Sequence, residues 1–264
     1  MVTNTKTLFV SILKSLRSDC VCDIGSRDGI QALLFRHVLP NAAVIAFEAN
    51  PINFRMMQAN PQFEASNIQL LPYAMTNTEG FAKFNITDVD YSDPKQNRGT
   101  SSLLVHEGLK IRETVEVPTR RIDDFLLHEY SGARRVGLWI DAEGSEYTVL
   151  QGLEQIKDRV IVVHVETAHV PLFRSQRTYA EVAALMQSYG FTPIGSNIGK
   201  TNTWGDVVFL NQRFVTSLGW RYFICKAKAC ISNVIQVDHA AVFLKESFPS
   251  AYTLLRRLYV KLWT

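Results

Sequence analysis

The sequence is poor in the features that would place it in a specialised class. It has only four cysteines in 264 residues, Cys20, Cys22, Cys225 and Cys230, and no two of them have the CxxC spacing of a zinc site. They read as reduced structural thiols, with Cys20 and Cys22 alternating along a buried strand as small hydrophobes. No apolar run is long enough to span a membrane. The run over residues 8–13 stops at Lys14, and no small-residue cleavage site follows it. An amphipathic helix within residues 1–18, packed on the domain, is expected there instead. The net charge is only +3, and basic residues are scattered apart from short groups such as Arg134–Arg135 and Arg256–Arg257. That excludes the basic stripe of a nucleic-acid binder. There is no internal repeat and no low-complexity segment. Reduced thiols without a leader pattern predict a cytoplasmic protein.

What remains is an ordinary globular composition, 47% hydrophobic and 20% charged, in a chain long enough to bury a large α/β core. From residue 19 to about 211, short apolar runs alternate with helical stretches. Runs at 20–24, 42–47, 68–71, 136–140 and 160–165 are nearly all apolar, and helical patterns follow the first, second, fourth and fifth. Such runs indicate a parallel sheet covered on both faces. Asp23, Glu48, Asp141 and Glu166 each fall at or just past the carboxyl end of a run, the edge along which open α/β sheets bind ligands. One stretch, about 80–118, breaks the alternation. Its two alternating segments, 81–87 and 114–117, flank a polar, turn-rich stretch, 88–100, and predict an inserted β-hairpin with a mobile loop.

Two junctions carry ligand chemistry. In Asp23-Ile24-Gly25-Ser26-Arg27-Asp28-Gly29, a strand, an acid, a glycine turn and a helix start follow in succession. Gly25 permits a sharp turn and a close approach of ligand to main chain. The dinucleotide fingerprint GxGxxG is absent, and Asp28 would set a negative charge beside a pyrophosphate. A zwitterionic amino acid suits the site better, its ammonium drawn to Asp23 or Asp28. At the second junction, Phe47-Glu48-Ala49-Asn50-Pro51, an acid closing the second strand is placed to accept hydrogen bonds from both ribose hydroxyls of an adenosine. The other reading of Glu48 is a helix cap, a task that Asn50-Pro51 can perform unaided.

The third junction is the most specific: Asp141-Ala142-Glu143-Gly144-Ser145-Glu146 after a strand, continuing to Leu150, Gly152 and Leu153. This DxEGxE segment with its leucine–glycine helix resembles the signature of the FkbM family of S-adenosyl-L-methionine-dependent methyltransferases. Asp23, Gly25, Gly29, Phe47-Glu48, Pro72-Tyr73-Ala74, Thr100-Ser101-Ser102-Leu103, the stretch from Arg121 to Leu126, and Glu166 agree in order. The similarity covers about 19–210. It implies a Rossmann-like, doubly wound, mostly parallel seven-stranded sheet with an antiparallel final hairpin, 191–194 and 207–210, and helices on both faces. It also implies that Asp23, Gly25, Ser26 and Gly29 border the methionine part of the cofactor. Glu48 and Ala49 would hold the ribose, Tyr73 and Ala74 would lie beside the adenine, and Asp141 and Glu143 would face the methyl. Family members usually carry a small residue and an asparagine where this chain has Ser26-Arg27, so the methionine end is held differently here.

The implied reaction is O-methylation of a sugar, glycan or other small natural product, with S-adenosyl-L-methionine as cofactor. Alignment of acceptor and methyl supplies much of the rate, and a base must take the hydroxyl proton. Asp141 is the first choice, with His169 and Glu143 behind it. The competing role for Asp141 is to cap the following helix, where Glu143 and Glu146 also suit the dipole. His164, inside an apolar run, reads as a core histidine. His106 fits either role. Asp141, Glu143 and Glu166 are oxygen donors of the kind a divalent cation takes, but they form no tight ligand cluster and no metal is expected. A Rossmann-type NAD(P)-dependent oxidoreductase and a catalytically inactive, methyltransferase-like interaction domain are the alternatives. No DPPY-like tetrad points to a nucleic-acid substrate.

Residues 213–264 form an aromatic, basic and mainly helical extension beyond the similarity. Leu254, Leu255, Leu258 and Leu262 recur at helical spacing, with Arg256, Arg257 and Lys261 between them. That pattern suits a helix packed on the domain, a subunit contact, or a helix on a membrane surface, which would make the protein peripheral at the membrane.

Overall fold

A computed structural model describes residues 3–89, 93, 99–198 and 203–236. The seven-stranded sheet has the order β3-β2-β1-β7-β8-β10-β9. Its strands are β1 (Cys20–Ile24), β2 (Ala43–Phe47), β3 (Gln69–Leu71), β7 (Val136–Ile140), β8 (Val160–Ala168), β9 (Phe191–Ser196) and β10 (Trp204–Asn211). The first five pair in parallel, and β10 pairs antiparallel with both β8 and β9. This is the Rossmann-like sheet with a final hairpin that the resemblance implies. β1 and β7 are buried at all five positions, as strands covered on both faces must be.

The two faces have separate cores. Val21, Val44 and Trp139 face a cluster with α1 (Thr5–Leu16) and α2 (Ile30–Val38), while Cys20, Cys22, Ile45 and Leu138 face one with α5 (Ile122–Glu129), α6 (Glu146–Gln151) and α7 (Tyr179–Ser188). After β2, α3 (Pro51–Gln58) and the short α4 (Pro61–Glu64) lead to β3. Caps punctuate the helices. Asn50 Oδ1 accepts from Ile52 N at 3.0 Å at the start of α3, and Thr178 with Glu181 forms a reciprocal capping box on α7.

The predicted insertion is a second, three-stranded sheet of β4 (Ala74–Met75), β6 (Ile111–Arg120) and β5 (Gly80–Thr87). β5 and β6 are antiparallel. β4 was not foreseen, because two residues carry no period; it is a strand only because β6 lies beside it. The stretch predicted as a mobile loop falls largely outside the described residues. Its end returns at Ser102, whose Oγ donates to the Glu143 carbonyl at 2.6 Å and so ties the insertion to the turn after β7.

Two expectations change. The N-terminal helix packs on the domain with Lys6 and Lys14 outward, as expected, but it is buried over more than one face: Leu8, Phe9, Val10, Ile12 and Leu13 are buried, and so are Thr5, Thr7 and Ser11. The reason is a cover that the sequence does not announce. After α8 (Val215–Leu218), α9 (Arg221–Gln236) lies across α1, and Leu218, Cys225 and Ala229 join its core. Glu166 also does not close its strand. Pairing with β10, in which Glu166 faces Asp206, carries β8 on to Ala168. The leucine-spaced helix expected around Leu254, Leu255, Leu258 and Leu262 lies outside the described residues. Among the described residues, no helix is long and apolar enough to cross a membrane.

Candidate functional site

Strand order reverses at β1: the chain runs outward through β2 and β3, then returns to place β7 on the other side of β1. Such a switch point opens a crevice at the carboxyl ends of the strands. Gly25 and Asp141 meet there, with Asp141 N donating to the Ile24 carbonyl at 2.9 Å. Two cavities flank this junction. One, of about 530 Å³, is lined by Gly25, Arg27, Glu48, Ala49, Asn53, Tyr73, Ala74, Met75, Phe84, Leu103, Asp141, Glu143 and Ser145, among others. The other, of about 1040 Å³, shares Arg27, Asp141 and Glu143 and adds His106, Glu166, Thr167, Phe173, Gln176 and Trp204.

The first junction divides its residues between lining and support. Gly25 lines the cavity with φ +81°, but its missing side chain serves the protein as well: a Cβ there would lie 1.8 Å from the Asp141 carbonyl oxygen. Asp23 is buried behind the turn, where Ser26 Oγ donates to its Oδ2 at 2.5 Å, and neither residue lines a cavity. Gly29 is also set back. Its φ is +77°, and a Cβ would strike the Phe63 ring at 2.4 Å, so packing explains it. Asp28 is engaged too, pairing with the Arg27 guanidinium at 2.9 Å and accepting from Ile30 N at 3.2 Å at the start of α2.

Glu48 is held from both sides. Its Oε2 accepts from Arg27 N at 2.6 Å and its Oε1 from Asn50 N at 2.8 Å. The helix cap belongs to Asn50, so Glu48 is not needed for that. The Asn53 side chain bonds it as well, and since a carboxylate has about four acceptor sites, one remains.

In the third junction the capping role falls to a different acid. Glu146 Oε1 accepts from Ala142 N at 3.1 Å and Gly144 N at 2.9 Å, closing the turn after β7. Asp141 does not cap α6, and its Oδ1 is buried without a hydrogen-bond partner. Ser145 Oγ, on the same cavity wall, is a second such atom. Glu143 takes a left-handed φ of +50°, costly for a residue with a side chain.

His169 does not reach either cavity. It is exposed, its ring set edge-on to Tyr179 at 5.3 Å, because β8 ends before it and the chain turns away. The cavity's imidazole is His106, edge-on to Phe173 at 4.9 Å, with Nδ1 accepting from Gly108 N at 2.9 Å. With Nδ1 accepting, Nε2 is the nitrogen of this ring left to donate. His164 is a core histidine, stacked on Trp139 at 3.4 Å and held well below its ordinary pKa by burial. Among the described residues no group of His, Cys, Asp and Glu is arranged to hold a metal ion. The residues that sequence reasoning missed, Asn53, Phe84, Phe173 and Trp204, come from separate elements and share no local motif, while Ser145 sits inside the DxEGxE turn without having been given a role.

Electrostatics separates the acids. Burial pushes Asp141 up to about 6, with Asp206 adding to it. Burial, with repulsion from Asp141, pushes Glu143 to about 10 and Glu166 to about 9. At neutral pH, Asp141 is therefore the ionised member and the two glutamates hold protons. Burial also raises Asp23, Glu48 and Glu146 to about 7. Between about pH 4 and about pH 7 the folded chain keeps protons on these groups that the unfolded chain has released, so rising pH lowers stability. The ligand-free protein is expected to show a Tm that falls from about pH 5 to about pH 8. A Tm that rises across that interval in calorimetry would contradict these assignments.

The methyltransferase FkbM domain matches residues 23–193. A relative named methyltransferase 1, from Beauveria bassiana, is 27% identical over 182 residues, 65% of this chain and 71% of the relative. The 2-O-methyltransferase NoeI of Sinorhizobium fredii is 23% identical over 177 residues, 64% of this chain and 71% of that protein. A crystal structure of precorrin-6y C5,15-methyltransferase from Geobacter metallireducens overlaps at a TM-score of 0.39 with 14% identity, covering 75% of this chain and 85% of that one. At that score the overlap adds nothing to the assignment. The domain match takes in the end of β1 and all of β2, β7 and β8, with Gly25, Glu48, Asp141 and Glu143 on their carboxyl-end turns, and the chain belongs to the FkbM family of methyltransferases.

Proposed function

We infer that this methyltransferase takes S-adenosyl-L-methionine in the smaller cavity and methylates a hydroxyl of a sugar, glycan or other small natural product in the larger one. The observation that carries this reading is the shared wall: Asp141, Glu143 and Arg27 border both cavities, so a group held in either meets the same carboxylates. The lining fits a nucleoside donor. Tyr73, Ala74, Met75, Phe84 and Leu103 form an apolar slot, Glu48 stands at its edge with an acceptor site to spare, and Asp141 Oδ1 and Ser145 Oγ await partners. S-adenosyl-L-methionine would supply an electrophilic methyl group on a cationic sulfonium. The ionised Asp141 on the shared wall favours such a cation over a pyrophosphate, and the family disposes of the oxidoreductase reading.

Asp141 is the residue for the proton. It is the ionised carboxyl at neutral pH, and an acid with a pKa near the working pH is an effective general base. Glu143 and Glu166, protonated, can donate to oxygens of the acceptor, as can His106 Nε2. Trp204, 51% exposed at the rim, and Phe173 offer the apolar faces on which a sugar ring packs. The name of the relative from Sinorhizobium fredii, a 2-O-methyltransferase, agrees with a hydroxyl acceptor.

Two measurements test the two halves. Glu48→Ala removes the acceptor at the slot, where a charge-assisted hydrogen bond contributes roughly 1.5–3 kcal/mol, so donor affinity in calorimetry is expected to fall at least about tenfold. Unchanged affinity would remove Glu48 from the donor site. Methyl-labelled donor incubated with a small-molecule extract is expected to give a labelled ether that resists mild alkali. A labelled ester, amine or RNA would overturn the hydroxyl assignment, and donor binding with no labelled product would favour the inactive interaction domain.

A further inference from the structure

The smallness of the net charge conceals a division. Residues 1–18 hold three Lys or Arg and no Asp or Glu, and residues 212–264 hold eight against two; residues 19–211 hold seventeen against twenty-three. α9 packs on α1, so the two helices, which carry Lys6, Lys14, Arg221, Lys226 and Lys228, form one layer. Arg221 Nη1 reaches the Ser15 carbonyl at 3.4 Å, and Lys228 is held below its ordinary pKa by burial and by the neighbouring Lys14. Neither α1 nor α9 contains an acid to offset these cations.

The same layer carries the most exposed aromatic side chains of this part of the fold. α9 buries Cys225 and Ala229 against the core and turns Phe223 outward at 73% exposure, with Trp220 just before it at 69%. Val215 on α8 is 44% exposed. Aromatics this open on a short amphipathic helix lose solvation energy in water and gain it at a lipid headgroup boundary, where Trp is favoured. A basic surround supplies attraction to anionic lipid.

We propose that the α8–α9 face, with Trp220 and Phe223 inserted and Lys14, Arg221 and Lys228 at the headgroups, docks the protein on an anionic membrane surface. The acidic body of the domain would be repelled by that surface and the α1–α9 layer drawn to it, so the two charge signs orient the molecule. A protein partner would be matched by the aromatics alone; the cations of α1 and α9, two helices that contain no acid of their own, are what favour the bilayer. This docking is independent of the methyl acceptor and holds whichever hydroxyl is methylated.

The test is flotation of the full chain with phosphatidylcholine–phosphatidylglycerol vesicles and with phosphatidylcholine alone, at low and high salt. Flotation is expected only with the anionic lipid and is expected to fade as salt rises. A Trp220→Ala, Phe223→Ala double variant touches exposed side chains only, so its Tm and donor affinity are expected to match the parent. Its partition onto the anionic vesicles is expected to fall by about tenfold or more. The proposal is overturned by no flotation of the full chain, by flotation indifferent to lipid charge, or by a double variant that floats as well as the parent. The last would assign binding to another segment. If the parent is a dimer that the variant dissolves, the face joins two copies, and the membrane assignment is equally lost.

Discussion

Replacing Asp141 with asparagine is expected to lower methyl transfer by about a hundredfold or more while leaving the fold at least as stable. The two halves of that expectation have separate causes. Asparagine cannot take a proton, so the acceptor hydroxyl would have to lose its proton to water. Stability is spared because Asp141 caps nothing: the turn after β7 is closed by Glu146, which accepts from Ala142 N and Gly144 N. Removing the Asp141 charge also relieves Glu143 and Glu166, both of which it pushes upward. Turnover at saturating donor and acceptor, with thermal melting alongside, decides the matter. Normal turnover would take the base away from Asp141. A large loss of stability would show that the side chain supports the turn after all.

Gly25→Ala is the second substitution with a large expected effect, here on the fold and the site together. A methyl group at this position would sit 1.8 Å from the Asp141 carbonyl oxygen, and that contact is backbone against backbone with no rotamer to yield. The left-handed φ of +81° adds strain for any residue with a Cβ. The junction of β1 with β7 must open, at a cost of roughly 3 kcal/mol or more, and donor binding is expected to fail with it. Gly190→Ala is the matched control: its φ is +85°, yet nothing lies within 4 Å of the added carbon. It is expected to cost only about 1 kcal/mol of backbone strain. Denaturant unfolding of both variants separates the clash from the dihedral. Equal losses would show that the close approach of the two strands is not what Gly25 protects.

The sheet was largely legible because its signals are local. β1, β2, β7 and β8 are short apolar runs whose burial on both faces leaves no alternative period, and helix patterns between them leave little choice but parallel pairing. Glu48 and Asp141, directly after β2 and β7, mark the carboxyl edge, whereas Asp23 and Glu166 lie within β1 and β8 near that edge. Roles among neighbouring acids were not legible. Asp141, Glu143 and Glu146 all suit the start of a helix by propensity and dipole. Which one reaches back over the turn depends on how Glu143 and Gly144, both at positive φ, bend the chain. His169 and His106 show the same limit. The first is near the site in sequence and exposed in space, while the second comes from the distant insertion and lines the larger cavity.

Sequence alone therefore determined the α/β class, the edge of the sheet that holds the site, the family resemblance and Gly25, Glu48, Asp141 and Glu143 as residues of interest. Each rests on a period or a motif within a few tens of residues. Tertiary structure decided what depends on contacts between distant segments. It tied the insertion to the Glu143 turn through Ser102, and it carried β8 past Glu166 by pairing it with β10. It also buried α1 beneath α9, and with that contact drew scattered cations into one layer beside Trp220 and Phe223. Net charge and hydropathy are sums along the chain and carry no direction; only packing assigns a side to each charge, and so only the folded molecule has a basic face.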